Sequence, residues 1–180
     1  MSPTSRFRLH ALLPIMTSLL ALSACANPQP AAPPLPSLKT TITLTPGDIA
    51  FIQKLNIMNI MQSATAKSAK SNAGRNDLAT LGATIAQDTT SQQTALATLV
   101  APHAITLPTT APKEDQTLIK RLKALHGPAF DRLYIRYLTH EAAQMKPVLD
   151  AEILTSSNTD LIKLARDTKA RLSAYQAQIQ

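Results

Sequence analysis

Four long stretches of this chain place apolar residues at intervals of three and four, and this spacing constrains the fold more than any other feature. Such a period puts the apolar side chains on one face of an α-helix. The stretches begin near Thr45, Asn76, Pro128 and Ser157. Only four glycines, no tryptophan and abundant alanine and leucine also favour helices over a sheet. We therefore predict an all-α domain.

Helix boundaries follow from capping residues, glycines and prolines. The predicted elements are a first helix from Thr45 to Asn72, a second from Asn76 to Ala101, a short one over Lys113–Leu125, a third long one from Pro128, and a last one capped by Ser157 and Asp160. Pro147 is expected to kink the third long helix, or to end it about one turn early. Four long amphipathic helices, with a short crossover helix between the second and third, predict a four-helix bundle.

The N-terminal segment has the pattern of a bacterial lipoprotein signal. Arg6 and Arg8 supply a positive start, and residues 11–22 form a short apolar core. Leu22-Ser23-Ala24-Cys25 then reads as a lipobox, in which two small residues precede the only cysteine of the chain. The apolar run is shorter than the roughly 20 residues that a membrane-spanning helix needs. These features predict a signal peptide over residues 1–24 and fatty acylation, including palmitate, of Cys25.

An alternative is cleavage after Ala26, because Ala24-Cys25-Ala26 also fits an A-x-A site. That cleavage would give a soluble periplasmic protein without lipid. A lone cysteine at the lipobox position favours acylation, and acyl chains anchor a protein stably in a membrane. Ala26 follows the cysteine, where an aspartate often marks retention in the inner membrane. We therefore predict an envelope lipoprotein of the outer membrane that faces the periplasm.

Proline-rich residues 27–36 predict an extended tether over residues 25–45. One helical domain is then expected over residues 46–180. Of the 18 Lys and Arg residues, Arg6 and Arg8 lie in the predicted signal peptide, and the rest outnumber the 11 Asp and Glu residues. In an exported protein, this mild basicity favours anionic lipid or envelope polymer over nucleic acid as a partner.

Three motifs indicate a relationship to a known group of proteins: Asp48-x-x-Phe51, the run from Asp77 to Leu81 continued by Ile85-Ala86-Gln87-Asp88, and Leu122-x-x-Leu125-His126-Gly127-Pro128-Ala129-Phe130-Asp131-x-x-Tyr134 followed by Thr139-His140. On these motifs, the segment from Asp48 to Gln180 resembles an uncharacterised bacterial family of predicted outer-membrane or periplasmic proteins. The resemblance implies a ferritin-like bundle and carries no established activity.

Four polar residues, Gln62, Thr89, His140 and Tyr175, are expected at interior positions of the helices. The resemblance implies that members often carry a glutamate in place of Gln62 and histidines in place of Thr89 and Tyr175. Ferritin-like metal sites use glutamates and Glu-x-x-His motifs, and this chain has no Glu-x-x-His. An amide, a hydroxyl and a phenol cannot balance two divalent cations. We therefore expect neither a metal site nor another cofactor.

Basic side chains cluster near the predicted crossover helix: Lys120, Arg121, Lys123, Arg132 and Arg136. If they converge, they could hold the domain against an anionic surface. The alternative is a set of scattered, solvated charges that pair locally with Asp115, Asp160 and Asp167.

No pattern of a catalytic site is present, because the chain has no partnered nucleophile, phosphate-binding loop or cysteine pair. We predict a non-catalytic interaction or structural module at the cell envelope. The alternative function is a metal-binding or oxidative-stress-related ferritin-like protein that uses His140 with Asp88 or Glu141.

Overall fold

The computed structural model describes residues 43–180, and this part of the chain is helical. The elements are α1 (Pro46–Asn72), α2 (Asn76–Val100), a 3₁₀ turn (Ala101–His103), α3 (Lys113–Ala124), α4 (Gly127–Thr155) and α5 (Thr159–Ile179). The predicted signal peptide, the acylation of Cys25 and most of the proline-rich tether lie outside the described residues. None of the described helices combines the length and hydropathy that crossing a membrane requires.

The start of α1 is a capping box, as the sequence predicts. The Thr45 hydroxyl accepts a hydrogen bond from Asp48 N at 3.1 Å, and the Asp48 carboxylate accepts one from Thr45 N at 2.7 Å. Both groups satisfy backbone donors that a helix N-terminus leaves free. Pro46 takes the first helical position, where a missing N–H costs nothing.

The cap of α5 differs from the prediction by one residue. Asn158, rather than Ser157, precedes the helix, and its Oδ1 accepts hydrogen bonds from Asp160 N and Leu161 N. Asparagine caps at least as well as serine. The neighbouring Ser156 hydroxyl instead donates to Asp48 at 2.7 Å and joins the end of α4 to the start of α1.

Helix α1 packs along α2 and also contacts α3 and α4, while α5 packs along α4 and contacts α2 less extensively. A close approach between α1 and α2 is possible at Gly82, where an added Cβ would lie 2.5 Å from the Ala69 Cβ. The core runs the full length of the long helices. Its largest fully buried members are Tyr134, Phe130, Ile52, Leu55, Met58, Leu78, Leu81, Ile85, Leu96, Leu122, Met145 and Leu149.

Pro147 does not end α4, which continues to Thr155, so the prediction of an early end is wrong. Proline removes one backbone donor and leaves the carbonyl four residues earlier without its helical partner. Here that carbonyl belongs to Ala143, and both Ala143 and Pro147 are exposed. Solvent access at this position lets the helix continue.

Candidate functional site

Three of the four predicted interior polar residues are buried, and the fourth is not. Gln62, Thr89 and Tyr175 are 2, 1 and 4 % exposed, whereas His140 is exposed. The buried face of α4 is displaced by about one residue from the predicted one. His140 therefore points away from the core, and its predicted interior position is wrong.

The buried polar groups of α2 and α5 bond to one another or to their own helix. Thr89 donates to the carbonyl of Ile85 at 2.8 Å, and Gln92 donates to Thr168. The Tyr175 hydroxyl donates to Asp88 at 2.5 Å and so connects α5 to α2. Burial, followed by the hydrogen bond to Asp88, raises the pKa of Tyr175 far above its ordinary value. The Gln92–Thr168 and Tyr175–Asp88 hydrogen bonds therefore link α2 to α5.

A second group of buried polar atoms, on α1 and α4, has no hydrogen-bond partner among the described residues. It includes the whole amide of Asn59, the Gln62 Nε2, and the hydroxyls of Tyr134 and Tyr137. Burial raises the pKa of both tyrosines and keeps them neutral. Gln62 was predicted at an interior position, whereas Asn59 was not, although it lies on the same face one turn earlier.

The interior side chains do not fit a ferritin-like metal centre. Gln62, Thr89 and Tyr175 offer an amide, a hydroxyl and a phenol, and Asp88 is engaged by Tyr175. Within residues 43–180, no three His, Cys, Asp or Glu side chains are grouped so that they could hold a metal ion. Carboxylates and imidazoles are the usual ligands of such centres, and Gln62, Thr89 and Tyr175 supply neither.

A buried carboxyl pair, Asp48 and Glu152, lies where α1 begins and α4 ends. Burial alone would raise the pKa of Asp48, but hydrogen bonds from Thr45 and Ser156 outweigh it and hold the pKa below its usual range. Burial and the neighbouring Asp48 charge raise the pKa of Glu152 to about 7. A proton on Glu152 therefore relieves the repulsion between the two groups. No local pattern indicates this pair, because its members are distant along the chain.

The basic residues predicted as surface contacts are all exposed: Lys120, Arg121, Lys123, Arg132 and Arg136. None of them takes part in the ion pairs formed within the described part of the chain, which are Arg75–Asp77, Lys146–Asp150, Lys163–Asp167 and Lys169–Asp150. The predicted alternative of local pairing thus holds for Lys163 with Asp167 and not for the basic residues near α3.

A pocket of about 430 Å³ between α1 and α3 brings two lysines together. Lys67 of α1 and Lys123 of α3 line it with Ser68, Ser71 and Asn72, and no carboxylate is among its lining residues. Asn72 Nδ2 donates to the carbonyls of Leu122 and Lys123 at 3.2 and 3.1 Å. This clamp fixes the end of α3 on α1. No local pattern indicates that Lys67 lies near this end of α3, because Lys67 and Lys123 are far apart along the chain.

The described residues form a helical domain whose buried polar groups are bonded between α2 and α5 but partly unpartnered on α1 and α4, and whose basic residues near α3 are exposed. A family model described as "Domain of unknown function (DUF4142)" matches residues 33–180, and the chain belongs to this family. The match begins within the proline-rich segment and covers the whole helical domain. No curated protein and no solved structure was found to be similar to the chain.

Proposed function

We propose that this protein is a lipid-anchored, non-catalytic module of the bacterial cell envelope that binds the anionic headgroups of the membrane surface. The contact is made by the basic surface, defined as Lys67 and Lys123 at the α1–α3 pocket together with the exposed Lys120, Arg121, Arg132 and Arg136. The observation that carries the proposal is the pocket itself, which is lined by one lysine from each of two helices and by no carboxylate.

The lipobox pattern supports the envelope setting. Acylation at Cys25 would hold the chain at a bilayer, with the outer membrane facing the periplasm as the proposed location. A proline-rich tether is extended, at about 3.1 Å per residue. The domain would then remain within a few tens of ångströms of the lipid headgroups, which raises its effective concentration at the surface. The attraction between cations and anionic headgroups acts once they approach within about 10 Å.

The charges on the basic surface are placed to contribute to such binding. Each lysine or arginine near an anionic bilayer contributes about 1 kcal/mol. A lysine already paired with a carboxylate, such as Lys163 with Asp167 at 2.6 Å, has less to gain. The cations near α3 have no such partner among the described residues and are therefore the stronger candidates.

We also propose a ferritin-like four-helix bundle for the domain, with α3 as the crossover helix. The supporting observation is the cyclic contact order of the long helices: α1 with α2, α2 with α5, α5 with α4, and α4 with α1. The basic surface lies outside this bundle interior, because its lysines and arginines are exposed.

Lysine footprinting of the full lipidated chain tests the binding proposal. The chain is reconstituted in phosphatidylcholine vesicles with or without about one third phosphatidylglycerol, and the acetylation rate of each lysine is measured by mass spectrometry. Acetylation of Lys67, Lys120 and Lys123 should slow several-fold when the anionic lipid is present. Lys163 and Lys169 on α5 are internal controls whose rates should not change. Equal rates for Lys67 and Lys123 in both vesicles would refute the proposal.

A further inference from the structure

A groove of about 610 Å³ separates the C-terminal half of α2 from the N-terminal half of α5. It lies where these helices are in limited contact. Its walls include the apolar side chains of Ala95, Leu99, Pro102 and Leu164. The volume is within the range of about 300–1,000 Å³ that is typical of sites for small ligands.

One end of the groove carries a cation without a full set of partners. Arg171 lines the groove and is half-buried, and its Nη1 is buried with no acceptor among the described residues. Asp167, one turn earlier on α5, is bonded to Lys163 at 2.6 Å. Leaving a charged donor buried and unsatisfied costs free energy, so an anionic acceptor at this end would stabilise the arrangement.

Lys163 and Asp167 also line the groove and form an ion pair without net charge, so that Asp160 determines the charge at the opposite end. Asp160, in the first turn of α5, lines the groove there and is exposed. At about 1.5 Å per residue, the segment of α5 from Asp160 to Arg171 is about 16 Å long. A ligand with an anionic head would therefore place the head at Arg171 and its apolar part along the middle of the groove.

We propose that this groove binds a single-chain fatty carboxylate. Its carboxylate would accept hydrogen bonds from the Arg171 guanidinium, which suits planar anionic groups. Its hydrocarbon chain would lie against Leu99 and Leu164, which removes apolar surface of both partners from water. The site is separate from the basic surface and goes beyond the proposed function.

Photolabelling of the full chain in phosphatidylcholine vesicles tests this site. The probe is palmitate with a diazirine in mid-chain, and labelled peptides are mapped by mass spectrometry. Label should concentrate on peptides that contain Ala95–Leu99 or Leu164, and unlabelled palmitate should compete for it. The matching diazirine alcohol should label these peptides about tenfold less, because it lacks the charge that Arg171 recognises.

Two matched pairs of variants locate the ligand. Arg171→Gln should reduce labelling about tenfold, while Arg166→Gln, an exposed arginine of the same helix outside the groove, should leave it unchanged. Ala95→Trp should block the groove, while Ala97→Trp, exposed and outside the groove, should not. Ala95 is itself exposed, so the larger side chain need not disturb the core.

The proposal fails on any of four results. The label could spread evenly over the chain. Alternatively, Arg171→Gln and Ala95→Trp could be labelled to the same extent as their control variants. The alcohol could label as strongly as the acid, which would remove the role of the carboxylate. Unlabelled palmitate could fail to compete for the label, which would show that no saturable site binds the probe.

Discussion

Asp131 Oδ1 accepts a hydrogen bond from Gly74 N at 2.9 Å and so ties the turn between α1 and α2 to the first turns of α4. Backbone pairing of Ala73 with Gly127 accompanies it. Gly127 has a φ of +56°, which favours glycine, and an added Cβ on Gly74 would lie 2.9 Å from the Gly127 Cα. The motif around Phe130 and Asp131 therefore has a structural role.

Replacing Asp131 should destabilise the domain through this contact. Asp131→Ala leaves the Gly74 N–H without its acceptor, and we expect a loss of about 1–2 kcal/mol in the free energy of unfolding. Asp131→Asn keeps an oxygen acceptor of the same shape and should lose less. Urea denaturation followed by circular dichroism measures both. Equal stability of Asp131→Ala and the wild type would show that the hydrogen bond contributes little.

The contact of α1 with α2 depends on the small size of Gly82. In Gly82→Ala, the new Cβ would meet the Ala69 Cβ at 2.5 Å and the Ala66 carbonyl oxygen at 3.0 Å. Both neighbours are buried, so the helices must separate, at an expected cost of about 1–3 kcal/mol.

A second glycine in a helix provides the control for that substitution. The Cβ of Gly47→Ala would have only an ordinary contact, 3.6 Å from the Thr45 hydroxyl. Alanine is the better helix former, so Gly47→Ala should stabilise by up to about 1 kcal/mol. Thermal unfolding of both variants should give shifts of opposite sign, and a higher melting temperature for Gly82→Ala would contradict the close packing.

The spacing of the large apolar residues predicted most of the helix faces, although α1 also buries polar side chains such as Asn56, Asn59 and Thr65. On α1, Phe51, Leu55 and Met58 are all buried, as expected from their spacing. Helix α4 is different, because apolar residues surround it: Leu133 and Ile135 are half-buried on either side of the fully buried Tyr134. The spacing of apolar residues is therefore compatible with more than one buried face of α4. The face predicted from the sequence included His140, which is in fact exposed.

The sites were less predictable than the helices because they depend on contacts between distant segments. Local patterns identified the cations near α3, but only the packing of α3 on α1 shows that Lys67 joins Lys123. Asp48 could be predicted as a helix cap, while its proximity to Glu152 follows from the antiparallel approach of α1 and α4. Likewise, the Nη1 of Arg171 has no acceptor among the described residues, and Asp167, one turn earlier on α5, is bonded to Lys163 instead.

The Asp48–Glu152 pair should make stability depend on pH. The pKa of Glu152 rises from 4.5 to about 7 on folding. Its contribution to the free energy of unfolding is therefore complete below pH 4.5 and is lost as the pH rises through 7. Asp48 has a lowered pKa, and its contribution is lost only at acidic pH. Between pH 5 and 8, the free energy of unfolding should therefore fall.

Glu152→Gln isolates this effect, because an amide of nearly the same shape carries no charge at any pH in this range. Relative to this variant, the wild type should lose about 1–2 kcal/mol between pH 5 and 8, a value that allows for solvent screening. Burial also raises the pKa of Glu141 to about 7. The free energy of unfolding of both proteins therefore shares this additional dependence on pH. Urea denaturation across this range, with Glu114→Gln as an exposed control, gives the curves. Parallel curves for wild type and Glu152→Gln would exclude the pair as the cause.

The position of His140 leads to an expectation about metal content. Residues 37–180 are incubated with Fe(II), Zn(II) or Mn(II), desalted and measured by elemental analysis. We expect no retained metal in the wild type or in His140→Ala, since the interior offers an amide, a hydroxyl and a phenol in place of the usual ligands. Near-stoichiometric metal in the wild type that His140→Ala abolishes would instead establish a metal-binding function.

Neutralising the α1–α3 pocket should weaken binding to anionic membranes. We compare Lys67→Gln/Lys123→Gln with Lys163→Gln/Lys169→Gln, a pair on α5 with the same change in net charge, in residues 37–180, which lack Cys25 and its anchor. At about 1 kcal/mol per lysine, the pocket variant should bind vesicles containing phosphatidylglycerol at least about tenfold more weakly. The control should change less, because Lys163 and Lys169 are already paired with Asp167 and Asp150. Cosedimentation at low and physiological salt measures both, and equal weakening would mean that net charge, not the pocket, governs binding.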